Sequence, residues 1–544
     1  MREQLKYVRE YLFKVRWTVI GIAAIAFITH GAVLFSQSFG IDTDFMINGE
    51  HNFDRLGRQG LIWIAKLLDL DWFNLYYAQV LAFTFMIFAP VSFGFLLHWM
   101  GDGSRAGLSL LALSVSFVVS PFWVTQVYFL NQSPQILSAC IMIAVSIFLA
   151  EYARTDIKRR WYCVLLALLL IQAAFACYQI LVMVYITGVT AVFLVSALKE
   201  ERTVKKQLGW IGYHAVVFCI GFGIYLIISR LFFLDAGAYL EDQIAWPVVG
   251  LAEGLKQCFM AAGDTLKNNP PYYTGMYGVF SVSLLILTIY RMMTNRKRGA
   301  GNRVLFLLAE LFLIISPYVF IFFYGRKIPD RIQLVMPLGQ GCILYLTVLM
   351  FPWEILKGTK RQSILAKCAI LLLTAAFYKD TVSHLNYCSR FYYTYEWVFQ
   401  HDVSIAENLY MDIKEAKNSY GLGDSYDKLL FLGYPDIPYN LICYSKAVMG
   451  SSFFQYDIIE TLPYRNRILS LMRGLGYPEE CNFSEEEIRA YHTYFEERFG
   501  SRVDAMSCYP DGDYIQYLKD DETGLEYLVV KLGKMWRPKD FLGE

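Results

Sequence analysis

The sequence predicts a mainly α protein: a polytopic membrane bundle of about eleven transmembrane helices, followed by a small extracytoplasmic α/β domain. Three observations lead there. Of 544 residues, 56% are hydrophobic and only 18% are charged, with mean hydropathy +0.37. Soluble chains have roughly a quarter of their residues charged. The apolar residues are gathered into long runs over 1–380, whereas 381–544 has ordinary soluble composition. Basic residues alternate between successive loops. The expected domains are therefore 1–380 and 381–544.

Taken in order, the spans fall at 17–36, 77–99, 107–123, 135–152, 161–178, 180–198, 209–233, 274–292, 304–325, 335–356 and 364–379. Each has roughly the 20 residues that cross a hydrocarbon core, the third being short. The first run is too long for a secretory signal and lacks a small-residue cleavage site, so no cleaved leader is expected. Arg2, Lys6, Arg9, Lys14 and Arg16 precede it, and Arg154, Lys158, Arg159 and Arg160 follow the fourth span. Lys199, Arg202, Lys205 and Lys206 follow the sixth. Lysine and arginine in short loops mark the cytoplasmic side, so the N-terminus is read as cytoplasmic and the C-terminal domain as extracytoplasmic.

Two further elements are expected on the outer side. Residues 247–266 place Val248, Leu251, Leu255, Phe259 and Leu266 on one helical face, which suits a helix lying on the membrane surface or packed on the bundle. In the C-terminal part, 429–433 reads as a buried strand. Residues 456–475 and 484–499 read as helices, the second capped by Ser484, and 514–519 with 525–531 read as a hairpin. Cys388, Cys443, Cys481 and Cys508 could pair in three ways, between which sequence cannot choose. No metal-binding spacing of Cys and His occurs. The net charge of +1 says nothing about partners, because the charges are spatially sorted. No nucleic-acid partner is expected; membrane lipids are.

The chemistry is concentrated in the first outer loop, GIDTDFMINGEHNFDRLGRQ over 40–59. Asp42 and Asp44 lie two residues apart, so on an extended segment they point the same way. Apolar residues 61–70 follow at once, reading as a short interfacial helix that holds the acids at headgroup level. A carboxylate there can take a proton from a hydroxyl. Arg55 and Arg58, three apart, would share a helical face and could clamp a phosphate. Solvated carboxylates and headgroup snorkelling are the plain alternatives. Glu50 and Asp54 complete the polar cluster. Tyr178-Gln179 closes a tight outer turn, where the pair could bind sugar hydroxyls or the tyrosine could simply belong to an aromatic belt. Arg326, Lys327 and Arg331 make another outer loop basic against the sorting rule, as phosphate ligands or as ordinary loop charges. Glu310, inside the ninth span, reads as a structural acid, and His30, His98 and His214 as packed side chains.

Together these residues resemble the GtrII-type membrane glucosyltransferases of GT-C architecture. The likeness rests on Asp42 and Asp44 in the first outer loop, Gly57-Arg58 shortly after, Tyr178-Gln179 at the end of the fifth span and, less specifically, Arg331. The acids here are separated by Thr43 where an adjacent pair is common, and Arg58 precedes Gln59 where an aromatic is more usual. The resemblance implies inverting transfer of a sugar, glucose first among candidates, from a polyprenyl-phosphate donor to an extracytoplasmic cell-surface polysaccharide, as in O-antigen modification. Asp42 or Asp44 would be the base. Arg55, Arg58, Arg326, Lys327 and Arg331 would bind the donor phosphate. Tyr178, Gln179, Glu50 and Asp54 would bind sugar or acceptor. No cofactor is required, though an unused acid could hold a divalent metal. A transporter or flippase would be expected to show repeated halves or several midplane charges, of which Glu310 alone is seen. An outer-face polymerase or ligase shares the lipid-linked donor and stays open.

Overall fold

The computed structural model describes residues 2–47, 57–70, 72–101, 105–130, 132–200, 202–232, 244–294, 299–444, 452–455, 466–522 and 524–537. Its contacts divide the chain into two units: Met1–Ser36 with His51–Ser389, and Gln37–Glu50 with Arg390–Glu544. The division falls inside one 60-residue helix, Lys360–Ser419, between Ser389 and Arg390. Residues 37–50, which carry Asp42 and Asp44, group with the C-terminal residues.

The first unit is a bundle of apolar helices, and the chain is a multi-pass membrane protein. Eight helical segments among the described residues are long and apolar enough to cross: Lys6–Phe35, Leu75–Met100, Ser133–Arg154, Ile157–Cys177, Leu181–Lys199, Val204–Leu231, Met276–Thr294 and Ala300–Tyr324. Eight such helices among the described residues fall short of the expected eleven. The third and tenth expected spans are the shorter helices Ala106–Val118 and Val335–Met350. At 1.5 Å per residue, 13 residues cover only about 20 Å of a roughly 30 Å core. The eleventh is part of the 60-residue helix, whose apolar run ends at Lys379-Asp380.

The intramembrane polar groups sit inside the bundle, as their desolvation cost requires. Glu310 is buried. His30 bonds the Val118 carbonyl at 2.7 Å, and His98 packs on Tyr7 and Tyr11. His214 is not solitary: its Nε2 lies 3.2 Å from Glu151, which also accepts from Arg154 and Trp210. Helix Leu251–Leu266 has two faces. The small stripe Gly254, Cys258, Ala261 and Thr265 is buried, and Cys258 Sγ donates to the Ile321 carbonyl. The larger side chains read from the sequence, Leu251, Leu255, Phe259 and Leu266, are exposed.

The second unit carries a three-stranded sheet in which Leu525–Lys531 lies between Leu429–Leu432 and Ile515–Asp520. Here β1 (Asn268–Asn269) and β2 (Tyr273–Thr274) are a short ladder in the first unit, and β3 is Leu429–Leu432. β4 is Ile515–Asp520 and β5 is Leu525–Lys531. β3 runs parallel to β5, and β4 closes the expected hairpin with Asp520 opposite Leu525. Helix Glu485–Ala505 packs Phe495, Phe499 and Val503 onto Leu430, Leu518, Tyr527 and Val529. Ser484 and Glu487 form a capping box at its start. At its end the buried Lys531 ammonium donates to the Val503 and Met506 carbonyls, a cation placed at the helix C-terminus. The expected helix 456–475 is seen as Asn466–Gly474, residues 456–465 lying outside the described ones. All eleven cysteines are free.

Candidate functional site

In the first unit, three sequence-distant candidates meet at the end of the bundle where Ile157–Cys177 finishes. A short helix, Gln59–Leu67, begins at Arg58 and lies on the last turn of that longer helix. Its closeness depends on Gly60: a Cβ there would come within 2.6 Å of the backbone at Ala176 and Cys177. Only glycine permits that backbone approach, and the approach carries Arg58 to the next two residues, Tyr178 and Gln179. The Arg58 guanidinium lies over the Tyr178 ring, 4.6 Å from its centroid.

A narrow cleft follows. Arg58, Tyr178, Gln179, Tyr324, Arg326 and Pro329 line it, with about 50 Å³ of room for water-sized groups. Gln179 Nε2 donates to the Tyr225 hydroxyl at 3.3 Å, and that hydroxyl reaches the Gly57 carbonyl at 3.5 Å. Gln59 Nε2 donates to Ser229 Oγ at 3.1 Å. One helix, Val204–Phe232, thus braces both motifs through Tyr225 and Ser229, neither of which the sequence reading picked out. Their spacing of four residues on one helical face was the available signal. Arg58 Nε is buried with no hydrogen-bond partner among the described residues. A guanidinium in that condition favours an anion.

The rest of the basic loop is arranged differently. Arg331 lies beside the cleft rather than in it, its guanidinium 5.6 Å from the Phe129 centroid and its carbonyl accepting from Gln126. Lys327 is exposed. Asp330, between them, accepts from the Tyr273 hydroxyl at 3.4 Å. Burial pushes its carboxyl above the usual range, against the opposing pull of Lys327.

In the second unit, Asp42 does not lie on an extended segment. Residues 41–43 form a turn with Asp42 in the left-handed region at φ 68°, and one helical turn, Asp44–Ile47, follows. The alternation expected of Asp42 and Asp44 therefore does not apply. A non-glycine residue in this region carries strain that surrounding contacts must hold. They do so here. Arg467 donates from Nη2 to Asp42 Oδ1 at 2.8 Å, and Phe39 packs edge-on against Phe399 and Phe453. Arg467, buried on helix Asn466–Gly474, was missed: no motif marks it, and 425 residues separate it from Asp42. The side chain of Asp44 and all of Glu50, Asp54 and Arg55 lie outside the described residues. Among the described residues, no three His, Cys, Asp or Glu side chains gather as a metal site.

The model of the family described as Glucosyl transferase GtrII matches residues 31–378. The chain belongs to the GtrII glucosyltransferase family. That match spans Asp42, Arg58, Tyr178-Gln179 and the 325–331 loop of this GtrII chain, but stops short of Arg467. A comparison with curated proteins finds no match. Among solved structures, the oligosaccharyltransferase AglB of Archaeoglobus fulgidus, in complex with an inhibitory peptide and a dolichol-phosphate, is similar at 12% identity and TM-score 0.39. That alignment covers 69% of this chain and 56% of AglB. The A. fulgidus oligosaccharyltransferase tethered to an acceptor peptide aligns at 11% identity and TM-score 0.42, covering 95% and 74%. The GtrII chain thus spans little more than half the length of the first of these structures.

Proposed function

We propose that this protein is a membrane glycosyltransferase that moves a sugar, in this reading glucose, from a polyprenyl-phosphate donor to a cell-surface polysaccharide on the extracytoplasmic side. The observation that carries the reading is the convergence of Arg58 and Arg326 with Tyr178-Gln179 in one cleft. Its size suits the phosphate end of a lipid-linked donor, with the polyprenyl chain left among the helices. The acceptor hydroxyl oxygen attacks the anomeric carbon while the bond from that carbon to the phosphate oxygen breaks. The electron pair leaves with polyprenyl phosphate, the hydroxyl proton passes to Asp42 or Asp44, and the anomeric configuration inverts. Arg58 and Arg326 offset charge growing on the leaving phosphate, so this chemistry needs no metal. The N-terminus is cytoplasmic in this proposal, and residues 40–59 face outward.

The test is transfer by the purified full-length protein from synthetic polyprenyl-phosphate glucose to polysaccharide extracted from the producing cells. Wild type should transfer with inversion. Asp42→Asn keeps side-chain size and tolerates the left-handed backbone, so a fall of about 10²–10⁴ there would mark it as the base. The same fall in Asp44→Asn alone would move the role. Equal rates in wild type and both variants would sink the aspartate mechanism.

A further inference from the structure

The second unit contains a cleft of about 650 Å³, within the range of about 300–1,000 Å³ typical of ligand sites. Its position follows from topology. β3 and β5 are parallel neighbours, and residues that leave their carboxyl ends, 434–436 and 532–535, form one wall. Crevices beyond the carboxyl ends of parallel strands are where ligands collect in such sheets. The two exits cross very closely: a Cβ on Gly433, which has φ 72°, would meet the Gly533 backbone at 2.5–2.8 Å. That crossing sets Tyr434 and Lys534 side by side on the wall. The helix bearing His401 and Ser404 supplies the second side, and Tyr509 the third.

The lining combines tyrosine rings and apolar side chains with a few polar ends. Tyr509 is a held platform. Asn408 Nδ2 donates to its hydroxyl at 3.2 Å, and Tyr514 packs edge-on at 5.2 Å while its own hydroxyl bonds Asp412. Asp436 offers acceptors, Lys534 donors and Ser404 both. His401 Nδ1 is buried with no hydrogen-bond partner among the described residues. A ligand that answers this set has apolar C–H faces to lay on tyrosine and many hydroxyls that both give and accept. Sugars have that composition.

We propose that this cleft binds a stretch of the acceptor glycan, two or three sugar units long, and so determines which polysaccharide is modified. The proposal rests on the transferase reading above but assigns a separate site to the acceptor. Full-length protein in lipid nanodiscs is tested with oligosaccharide fragments released from the envelope polysaccharide of the producing cells. Binding is followed by saturation-transfer NMR, and transfer by steady-state kinetics. Tyr509→Leu and Asp436→Ala should each weaken fragment binding and raise the acceptor KM about tenfold, leaving the donor KM unchanged. Tyr509→Phe, which keeps the ring, should stay within about threefold. Should Tyr509→Leu fail to fold, Ser404→Trp, at an exposed helical position, fills the cleft and should abolish fragment binding. An unchanged acceptor KM with Asp436→Ala and Ser404→Trp, or a rise confined to the donor KM, overturns the proposal. Fragment binding lost in these variants but present in a wild type that transfers nothing would keep this site and remove the transferase reading.

Discussion

Arg58 and Asp42 flank one short loop in sequence, yet each is held by a different physical device. In the first unit Arg58 is positioned by backbone packing: Gly60 lets its helix touch the last turn of Ile157–Cys177, and the guanidinium rests on Tyr178. Its Nε still has a hydrogen bond to give. In the second unit the Asp42 carboxylate is already in an ion pair with Arg467, on a left-handed turn. A packed arginine with an unused donor is prepared to receive an anion. A paired aspartate on a strained turn is prepared to stay in place. Positioning by apolar contact leaves the charge available for a ligand, whereas positioning by an ion pair uses part of it.

The sharpest way to break the contrast is Arg58→Ala. It removes the available donor and should lower transfer about 10²–10³-fold at saturating donor, the usual cost of losing one charge-stabilising group. Arg58→Lys should recover little, because an ammonium neither forks onto a phosphate nor stacks on Tyr178 in the same way. Retention of more than about a third of wild-type rate in Arg58→Ala would show that the cleft guanidinium is ornamental. Next comes Arg467→Ala. If Arg467 acts only through Asp42, kcat should fall about tenfold while the donor KM holds, and Arg467→Lys should restore part of it. A loss expressed in donor KM instead would make Arg467 a substrate ligand and erase the distinction between the two arginines.

Much of this arrangement was legible in the sequence, and what was not has identifiable causes. Spans such as 135–152 and 180–198 were found because a membrane helix announces itself by length and apolarity. The count failed at Ala106–Val118, Val335–Met350 and 364–379, where apolar runs are too short or end in charge. Ser484 and the 514–531 hairpin were read from local rules that tertiary packing did not override. Arg58, Tyr178 and Gln179 were picked out singly by residue type and place. Their meeting could not be read, since it depends on a contact between Gly60 and a helix end more than a hundred residues away. Arg467 left no trace at all: a pairing over such a separation is invisible without three-dimensional information. The left-handed turn at Asp42 also escaped, because aspartate tolerates it without requiring it.

The smallest expected effect tests what stands behind the Asp42 turn. Asp402 is buried and accepts from Ser452 Oγ and from the Phe453 N–H, both at 2.8 Å. Phe453 in turn packs on Phe39, three residues before Asp42. Burial pushes the Asp402 carboxyl up to about 7, outweighing the two hydrogen bonds, which favour its charged form. An unfolded aspartate titrates near 3.9. Between about pH 4 and 7 the folded state therefore binds the extra proton, so stability is full below that window and falls as pH rises through it. The melting temperature of the full-length protein in detergent should decline from pH 5 to pH 7.5. Asp402→Asn should flatten the decline while keeping both bonds, its oxygen accepting from Phe453 and its amide donating to Ser452. Asp402→Ala should instead lower stability at every pH by about 1–3 kcal/mol, because the buried Phe453 N–H loses its acceptor. If Asp402→Asn shows the same slope as wild type, the pH response arises elsewhere and the support behind Asp42 is simple packing.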